Sequence, residues 1–596
     1  MSVSPEKNSE GLVTFSIYSD GSKISDSFET VSIWIRKEVN RIGRAKLVFE
    51  AGNMPMKEIP ESDDDSFAPG KKIRIEAGYQ SNERVIFEGV VVTHNVDIPE
   101  DEAATLEIEC ADFLFPSNLN RKNNFYEKQT DSDIISAILG TYSDISPTVD
   151  ATTVSHPELV QYYCSDWDFI CSRADANGLI ILTDQGTVKV IKPLVSAAPV
   201  LKVTYGEDLI SFRGELQTTD QTSGVDAYAW DIATQKMLKA ASATPSLNEQ
   251  GDQTPAALSE AVGGDRWEFQ TESYGDTSQL QTWADAQALK AGLSRIRGEI
   301  RFQGSSLALP GCLITLDGLG KRFNGDAFIG FVEHSIEEGE WITTAGMGID
   351  PEMATQNTDV VAPPASGLLP GIEGLHIGVV KKLDGDPAKE FRVQVEIPLL
   401  NTDKNLVWAR LSNFWSSKSF GAFFIPNIED EVVLGFLNND PTYPIILGSL
   451  YSSANPAPLE IDKKNPIQLM QTKNGIKLEM DDENKVVTVT TPGTNKLVLS
   501  DKDKSVTMSD QNGNKIVLSD SGILIQAAKE ITIKAGTEVK VDAGTNSSVK
   551  AGVNATVKGT NVELTADASF TAKGNASAEL SAAGQTAVKG AIVMIN

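Results

Sequence analysis

The stretch from Ile516 to Val588 constrains this chain more than any other, because it repeats in steps of eight residues. Val517-Leu-Ser-Asp, Ile525-Gln-Ala-Ala, Ile533-Lys-Ala-Gly, Val541-Asp-Ala-Gly, Val549-Lys-Ala-Gly and Val557-Lys-Gly-Thr start eight apart. One step of seven follows, and the octad resumes at Leu564-Thr-Ala-Asp, Ala572-Lys-Gly-Asn, Leu580-Ser-Ala-Ala and Val588-Lys-Gly-Ala. Apolar and polar residues alternate within the blocks, which describes short strands with one buried face. Glycine or another small residue closes most blocks, where the chain must turn. A fixed period signals a solenoid, but single-chain coils need roughly 20 residues or more. Eight residues supply one strand and one corner. Three chains wound together supply about 24 per coil. The period therefore predicts an intertwined three-chain β-prism, with Ile, Val and Ala on a shared axis and Lys, Asp, Thr and Asn in water. A disordered polar tail has no reason to keep an apolar register over so many steps.

This stretch is also chemically sparse. After Tyr451 the only aromatic is Phe570, the last arginine is Arg410 and the last proline is Pro492; no His or Cys follows His376. Glycan binding and acid–base chemistry draw on those side chains, so the stretch reads as a shaft.

At 596 residues the chain holds several domains. A net charge of −30 excludes nucleic acid as a partner, since phosphate contacts need clustered Lys and Arg. It also repels anionic membranes. Cys110, Cys164, Cys171 and Cys312 are too scattered for a disulfide framework, and the spacing of Cys164 and Cys171 is not that of a zinc site. Buried thiols are expected. The N-terminus, Met1-Ser-Val-Ser-Pro-Glu-Lys, lacks a basic region followed by an apolar run, and no apolar stretch is long enough to span a bilayer. Synthesis and assembly in the cytoplasm are expected.

Residues 1–110 read as strands at Val13-Thr-Phe-Ser-Ile-Tyr, Ser32-Ile-Trp-Ile-Arg, Ala45-Lys-Leu-Val-Phe-Glu, Lys72-Ile-Arg-Ile-Glu-Ala and from Arg84, which suggests a small barrel. The acidic run from Asp63 reads as a solvated loop. A helix is predicted over Asp131–Tyr142 on the stripe Ile134, Ile135, Ile138 and Leu139. A second runs from the cap Ser165 to Asn177, ended by Gly178 in the left-handed conformation. A third spans Ser278–Leu293, with Leu280, Trp283, Ala286, Leu289 and Leu293 on one face. His334, next to Glu333 on an alternating strand, is assigned a structural role. A Pro- and Gly-rich linker from Val360 marks a boundary.

Residues 372–455 carry the most specific pattern. Gly378-Val-Val-Lys-Lys, Phe391-Arg-Val-Gln-Val-Glu-Ile-Pro, Val407-Trp-Ala-Arg-Leu, Phe424-Ile-Pro followed by Glu431-Val-Val-Leu-Gly-Phe, and Pro444-Ile-Ile-Leu-Gly-Ser-Leu-Tyr are five alternating segments with tight turns. They fit an OB barrel, in which Trp408 and Phe436 are expected to fill the interior and Asp440-Pro441 to fix a turn. Upstream of the octads, strands from Leu478, Val487, Leu497, Val506 and Ile516 lie nine or ten apart, so wider coils are expected at 456–515 before the needle at 516–596.

The motif residues Trp408, Arg410, Pro426, Glu431, Asp440 and Pro441 resemble the OB domain of the VgrG spikes of contractile injection systems. The family commonly has Gly-Asp-Glu where this chain has Glu429-Asp430-Glu431, and Gly-Asp-Pro where it has Asn439-Asp440-Pro441. The helix from Ser165 and the octads resemble the family's hub and triple-stranded β-helix. The fold class implied is mainly β with minor α: a hub of β-barrels with helices at 1–360, a linker at 361–371, the OB neck and a homotrimeric β-helical needle. The resemblance implies a hexameric, Hcp-like tube protein at the hub and a PAAR-repeat tip protein on Ile592, Val593, Met594, Ile595 and Asn596. Baseplate proteins and effector cargo are further implied partners, and a target membrane is breached by puncture. No reaction, metal or cofactor is expected. Only Ser452–Gln471 separates the OB segment from the β-helix, too little for an inserted domain, and no toxin domain is expected after Asn596. Asp384 and Asp386 are assigned to a turn. The alternative is a β-helical protein that binds or degrades polysaccharide, an adhesin or tailspike-like enzyme, for which longer coils and a carboxylate-lined cleft would be needed.

Overall fold

A computed structural model describes residues 3–5, 11–231, 234–271, 277–400 and 405–595. The chain divides into two compact units, Met1–Leu450 and Tyr451–Asn596.

The strands expected in the first hundred residues form, and each buries alternate residues. Ile33 and Ile35 on Thr30–Glu38, Leu47 and Phe49 on Arg44–Glu50, and Ile73 and Ile75 on Lys72–Tyr79 all point to one core. They do not close into a barrel of their own. Thr30–Glu38 pairs with Gly325–Glu337, which makes them part of a thirteen-stranded sheet shared with strands from residues 201–347. The reason is a continuous apolar face: Ile336 and Trp341 from the later strands pack in the same core as Ile17 and Phe87. The sheet curls far enough for Tyr79 to stack on Trp341, with ring centroids 5.6 Å apart, and to donate its hydroxyl to the Gly304 carbonyl at 3.3 Å.

The helix Asp131–Leu139 starts on a capping box, with the Thr130 hydroxyl accepting from the Asp133 amide and the Asp133 carboxylate from the Thr130 amide. Asp166–Ala176 is capped by Ser165 as expected, and Gly178 ends the turn at φ +66°. An added Cβ at Gly178 would lie 3.2 Å from the backbone of Ala286 on the third helix, so glycine serves both the turn and the helix contact. That helix, Thr277–Leu293, buries two faces rather than the single stripe expected. Leu280, Ala284 and Ala288 pack on the small sheet that includes Val225–Asp231, while Leu293 and Leu289 join Val39, Ile180 and Phe328.

The strands His376–Lys382, Val393–Glu396, Leu406–Leu411, Glu431–Phe436 and Pro444–Ser449 close into a barrel. Its core is Val380, Val393, Val395, Ile397, Ala409, Val432, Leu434 and Ile446. Trp408 is not in it. Val407, Ala409 and Leu411 face inward, so the two-residue period turns Trp408 to the outer wall, opposite Gln394. Phe436 packs against the core from one side and meets His376 edge-on at 5.6 Å.

In the second unit seven strands from Ile467–Gln471 to Gly522–Gln526 form an antiparallel meander, each paired with the next. They include the five strands read from the sequence. Asp510 makes the Asn512-Gly513 turn by accepting the amides of Asn512 and Asn514, both at 2.9 Å, and Gly513 sits at φ +87°. Pairing runs to Gln526, so the blocks at Val517 and Ile525 lie in this meander and not in the shaft. From Ala527 to Ile595 the described chain makes no backbone–backbone hydrogen bond to itself.

Candidate docking surfaces of the barrel and the tail

The segment 527–595 poses a problem of satisfaction. Backbone amides and carbonyls of ordered protein are nearly always paired. Here they make no bond to backbone within the chain, the Ala528 amide alone reaching the Asn514 side chain, at 2.9 Å, among the bonds described, and the apolar side chains of the octads lie open: Ile533 is 73 % exposed, Val549 89 % and Leu580 77 %. These are the residues that the eight-residue period places on one face. A strand that offers unpaired backbone and one apolar face is a surface for other strands. At its end Ile592, Val593, Met594 and Ile595 are all exposed, Ile595 by 91 %. Asn596, named with them, lies outside the described residues.

The OB motif residues lie in turns, on the outer wall and at the start of a barrel strand. Asp440 forms its expected turn, accepting from the Thr442 amide at 2.8 Å through Oδ1 and from the Tyr443 amide at 3.1 Å through its carbonyl. Pro441 follows within that turn and Pro426 is half-buried ahead of the strand that opens with Glu431. Arg410 and Trp408 lie on the outer wall and do not converge on one site. Asp386 accepts the amides of Ala388, Glu390 and Arg392 as well as the Arg392 guanidinium at 2.7 Å. That pairing holds its carboxyl well below the usual range and confirms a turn role. Asp64 likewise caps a short turn by accepting the Ser66 amide at 2.7 Å.

His334 is 2 % exposed. Its Nδ1 lies 3.0 Å from the Thr343 hydroxyl and 3.3 Å from the Trp341 indole nitrogen. The indole only donates, so Nδ1 accepts and the ring proton sits on Nε2. Burial pushes the pKa down to about 3, so the ring is neutral and structural. Sequence reasoning missed a second buried cluster. Asp131 accepts from Arg173 Nε at 2.6 Å, from Asn177 at 2.8 Å, and pairs with His156 Nε2 at 3.0 Å. Burial alone would raise the Asp131 carboxyl, but Arg173 outweighs it and the carboxyl is held low. The cluster ties the start of the helix Asp131–Leu139 to the end of the helix Asp166–Ala176. Nothing in the local sequence signals it, because its members lie far apart in the chain. Also missed was the arm Phe414–Phe424 between two barrel strands. Five aromatics within eleven residues were the signal.

Among the described residues no group of three or more His, Cys, Asp or Glu could hold a metal ion, and no helix is long and apolar enough to cross a membrane. Cys110 and Cys171 are buried, Cys164 and Cys312 half-buried, and all four are free.

Residues 9–338 match the family model described as the Alg8 N-terminal domain. Residues 376–451 match the type VI secretion system/phage-baseplate injector OB domain, and residues 485–546 the phage baseplate V C-terminal trimerisation domain. The type VI secretion system spike protein VgrG1b of Pseudomonas aeruginosa is 22 % identical over 433 residues, covering 66 % of this chain and 55 % of its own length. VgrG3 of Vibrio cholerae, a spike protein of the same system, is 31 % identical over 86 residues, covering 14 % of this chain and 8 % of its own. The chain thus spans about half or less of the length of these curated relatives. The 43 kDa tail protein of prophage MuSo2 from Shewanella oneidensis superposes with a TM-score of 0.43 at 11 % identity, covering 57 % of this chain and 98 % of that one. The resemblance to the VgrG spikes read from the sequence is borne out. The chain belongs to the family of the Alg8 N-terminal domain, and carries that domain ahead of an injector OB domain and a baseplate trimerisation segment.

Proposed function

We propose that this protein is the trimeric structural spike of a contractile injection system. The observation that carries the reading is the segment 527–595: an ordered apolar register with no backbone partner inside its own chain. Two further copies supply those partners, and the match of residues 485–546 to a trimerisation domain supports the count of three. Three tails wound on one axis make a needle stiffened by interchain hydrogen bonds. Such a needle transmits the force of contraction to a target membrane and needs no reaction of its own.

In this reading the hub, residues 1–360, adapts three chains to a hexameric, Hcp-like tube ring and to the baseplate. The exposed end, Ile592 to Ile595, seats a PAAR-repeat tip protein, because three such ends present a contiguous apolar patch. Asn596 belongs to the same proposed seat, and cargo rides on the tip or the tube. The particle delivers the spike out of the cell or into a target cell. The polysaccharide-binding alternative finds no support among the matched families. The test is the native mass of the purified chain by light scattering. A value near three times the 64.2 kDa chain is expected. A stable single-chain mass with an ordered tail would sink the trimeric spike.

A further inference from the structure

The aromatic arm between the barrel strands Leu406–Leu411 and Glu431–Phe436 has no role in the barrel core. Phe414 stacks on Phe424 at 6.2 Å and Trp415 meets Phe420 edge-on at 6.0 Å, so the arm is preformed by its own rings. A short ladder, Ser416↔Gly421 and Ser417↔Phe420, holds it. Yet Phe414 is 84 % exposed and Phe423 80 %, and Trp415, Phe420 and Phe424 are all more than half exposed. An apolar surface of this density on a soluble protein marks a contact. The arm is also almost uncharged: between Arg410 and Glu429 only Lys418 carries charge, in a chain of net charge −30. Copies of so acidic a protein repel one another, and a charge-free face is where they meet at least cost.

We infer that this arm docks on the outer barrel wall of a second copy of the chain. The inference rests on the trimeric reading and deepens it. A closed three-fold ring needs two different patches, one from each neighbour. The arm is the first. The second is the apolar outer wall at Gly435, where the exposed side chains of Leu447 and Leu375 lie over the glycine, 3.3 and 4.0 Å from the position its Cβ would take. The residues joining Leu450 to Ile467 reach at most about 60 Å when fully extended. Copies joined through residues 485–546 therefore hold their barrels at effective concentrations near the millimolar range, enough to close even a weak contact.

The test is thiol labelling of the full chain carrying Phe423→Cys, with Lys463→Cys as an exposed reference. The four native thiols are a quiet background, since burial pushes every one of them up, Cys312 to about 11. In the trimer, Cys at 423 is expected to label at least about tenfold more slowly than the reference, because it reacts only when the contact opens. Leu447→Asp should restore fast labelling at 423. A trimer in which position 423 labels as fast as the reference overturns the docking and leaves the spike reading standing. A single-chain mass overturns both. Hydrogen exchange of the unsubstituted protein gives an independent reading: protection at Asn413–Phe424 is expected, and free exchange there in a trimer would also sink the contact.

Discussion

Glu429 and Asn439 adopt left-handed backbone, at φ +73° and +56°, at the two barrel turns where the VgrG spikes commonly carry glycine. The turn geometry is kept although the residue that suits it is not. A side chain in this region costs about 1 kcal/mol, less for Asn. Glu429 recovers part of that through Lys381, whose ammonium lies 3.0 Å from its carboxylate, but an exposed pair contributes little. Glu429→Gly should therefore raise barrel stability by up to about 1 kcal/mol and Asn439→Gly by less, read as shifts in the thermal midpoint. A second residue-scale effect joins His334 to Asp112. Between about pH 6.5 and 3 the unfolded chain binds a proton at position 334 that the folded hub refuses, so hub stability falls with pH there. Burial raises the Asp112 carboxyl to about 6. Between about pH 4 and 6 the folded hub keeps a proton that the unfolded chain releases, so this stabilisation is present at the acid end and lost as pH rises. The two oppose each other in the overlap. Asp112→Asn removes one side, and its stability relative to the unsubstituted protein should fall on going from pH 6 to pH 4, by up to about 1.4 kcal/mol per unit. Denaturant midpoints at four pH values would show it, and parallel curves would refute the pairing.

Periodicity made the barrel strands, the meander and the octads legible, because each alternates apolar and polar residues and the pattern is local. The same alternation, applied to Val407, Ala409 and Leu411, turns Trp408 outward, so register and not side-chain size decides which face it takes. The arm at Phe414–Phe424 escaped because a preformed loop of exposed rings has neither a helical nor a strand period. The wide sheet of the hub escaped for another reason. Its pairing of Thr30–Glu38 with Gly325–Glu337 joins strands almost three hundred residues apart, and no local signal records which edge meets which. The octads are legible enough to support a sharper prediction. Removing one whole block, Val549–Thr556, keeps every later residue in register and should leave a shorter needle of unchanged oligomeric state. Removing Lys550 alone turns Ala551 and the rest of its strand to the wrong face. That variant should dissociate at lower temperature on heated gels, and equal behaviour of the two deletions would refute the eight-residue register.

At the scale of the molecule, the two units differ in what they need. Residues up to Leu450 bury their own cores, and the meander that follows pairs its own strands through Gln526. The proposed three-fold partnership rests on the octad length, because eight residues are too few for a coil. The unsatisfied backbone of 527–595 has a consequence for how the protein is made. During synthesis the hub, the barrel and the meander emerge first and reach their folds as separate chains. In the proposed trimer the octads come later and stay unfinished until sister chains arrive. Zipping then proceeds from the meander outward, since the nearest octads are already held close. Had the repeats come first, nascent chains on neighbouring ribosomes would have tangled before their hubs existed. Their place behind the self-sufficient domains puts the proposed winding after those domains have folded, and makes its rate rise steeply with the number of completed copies in the cell.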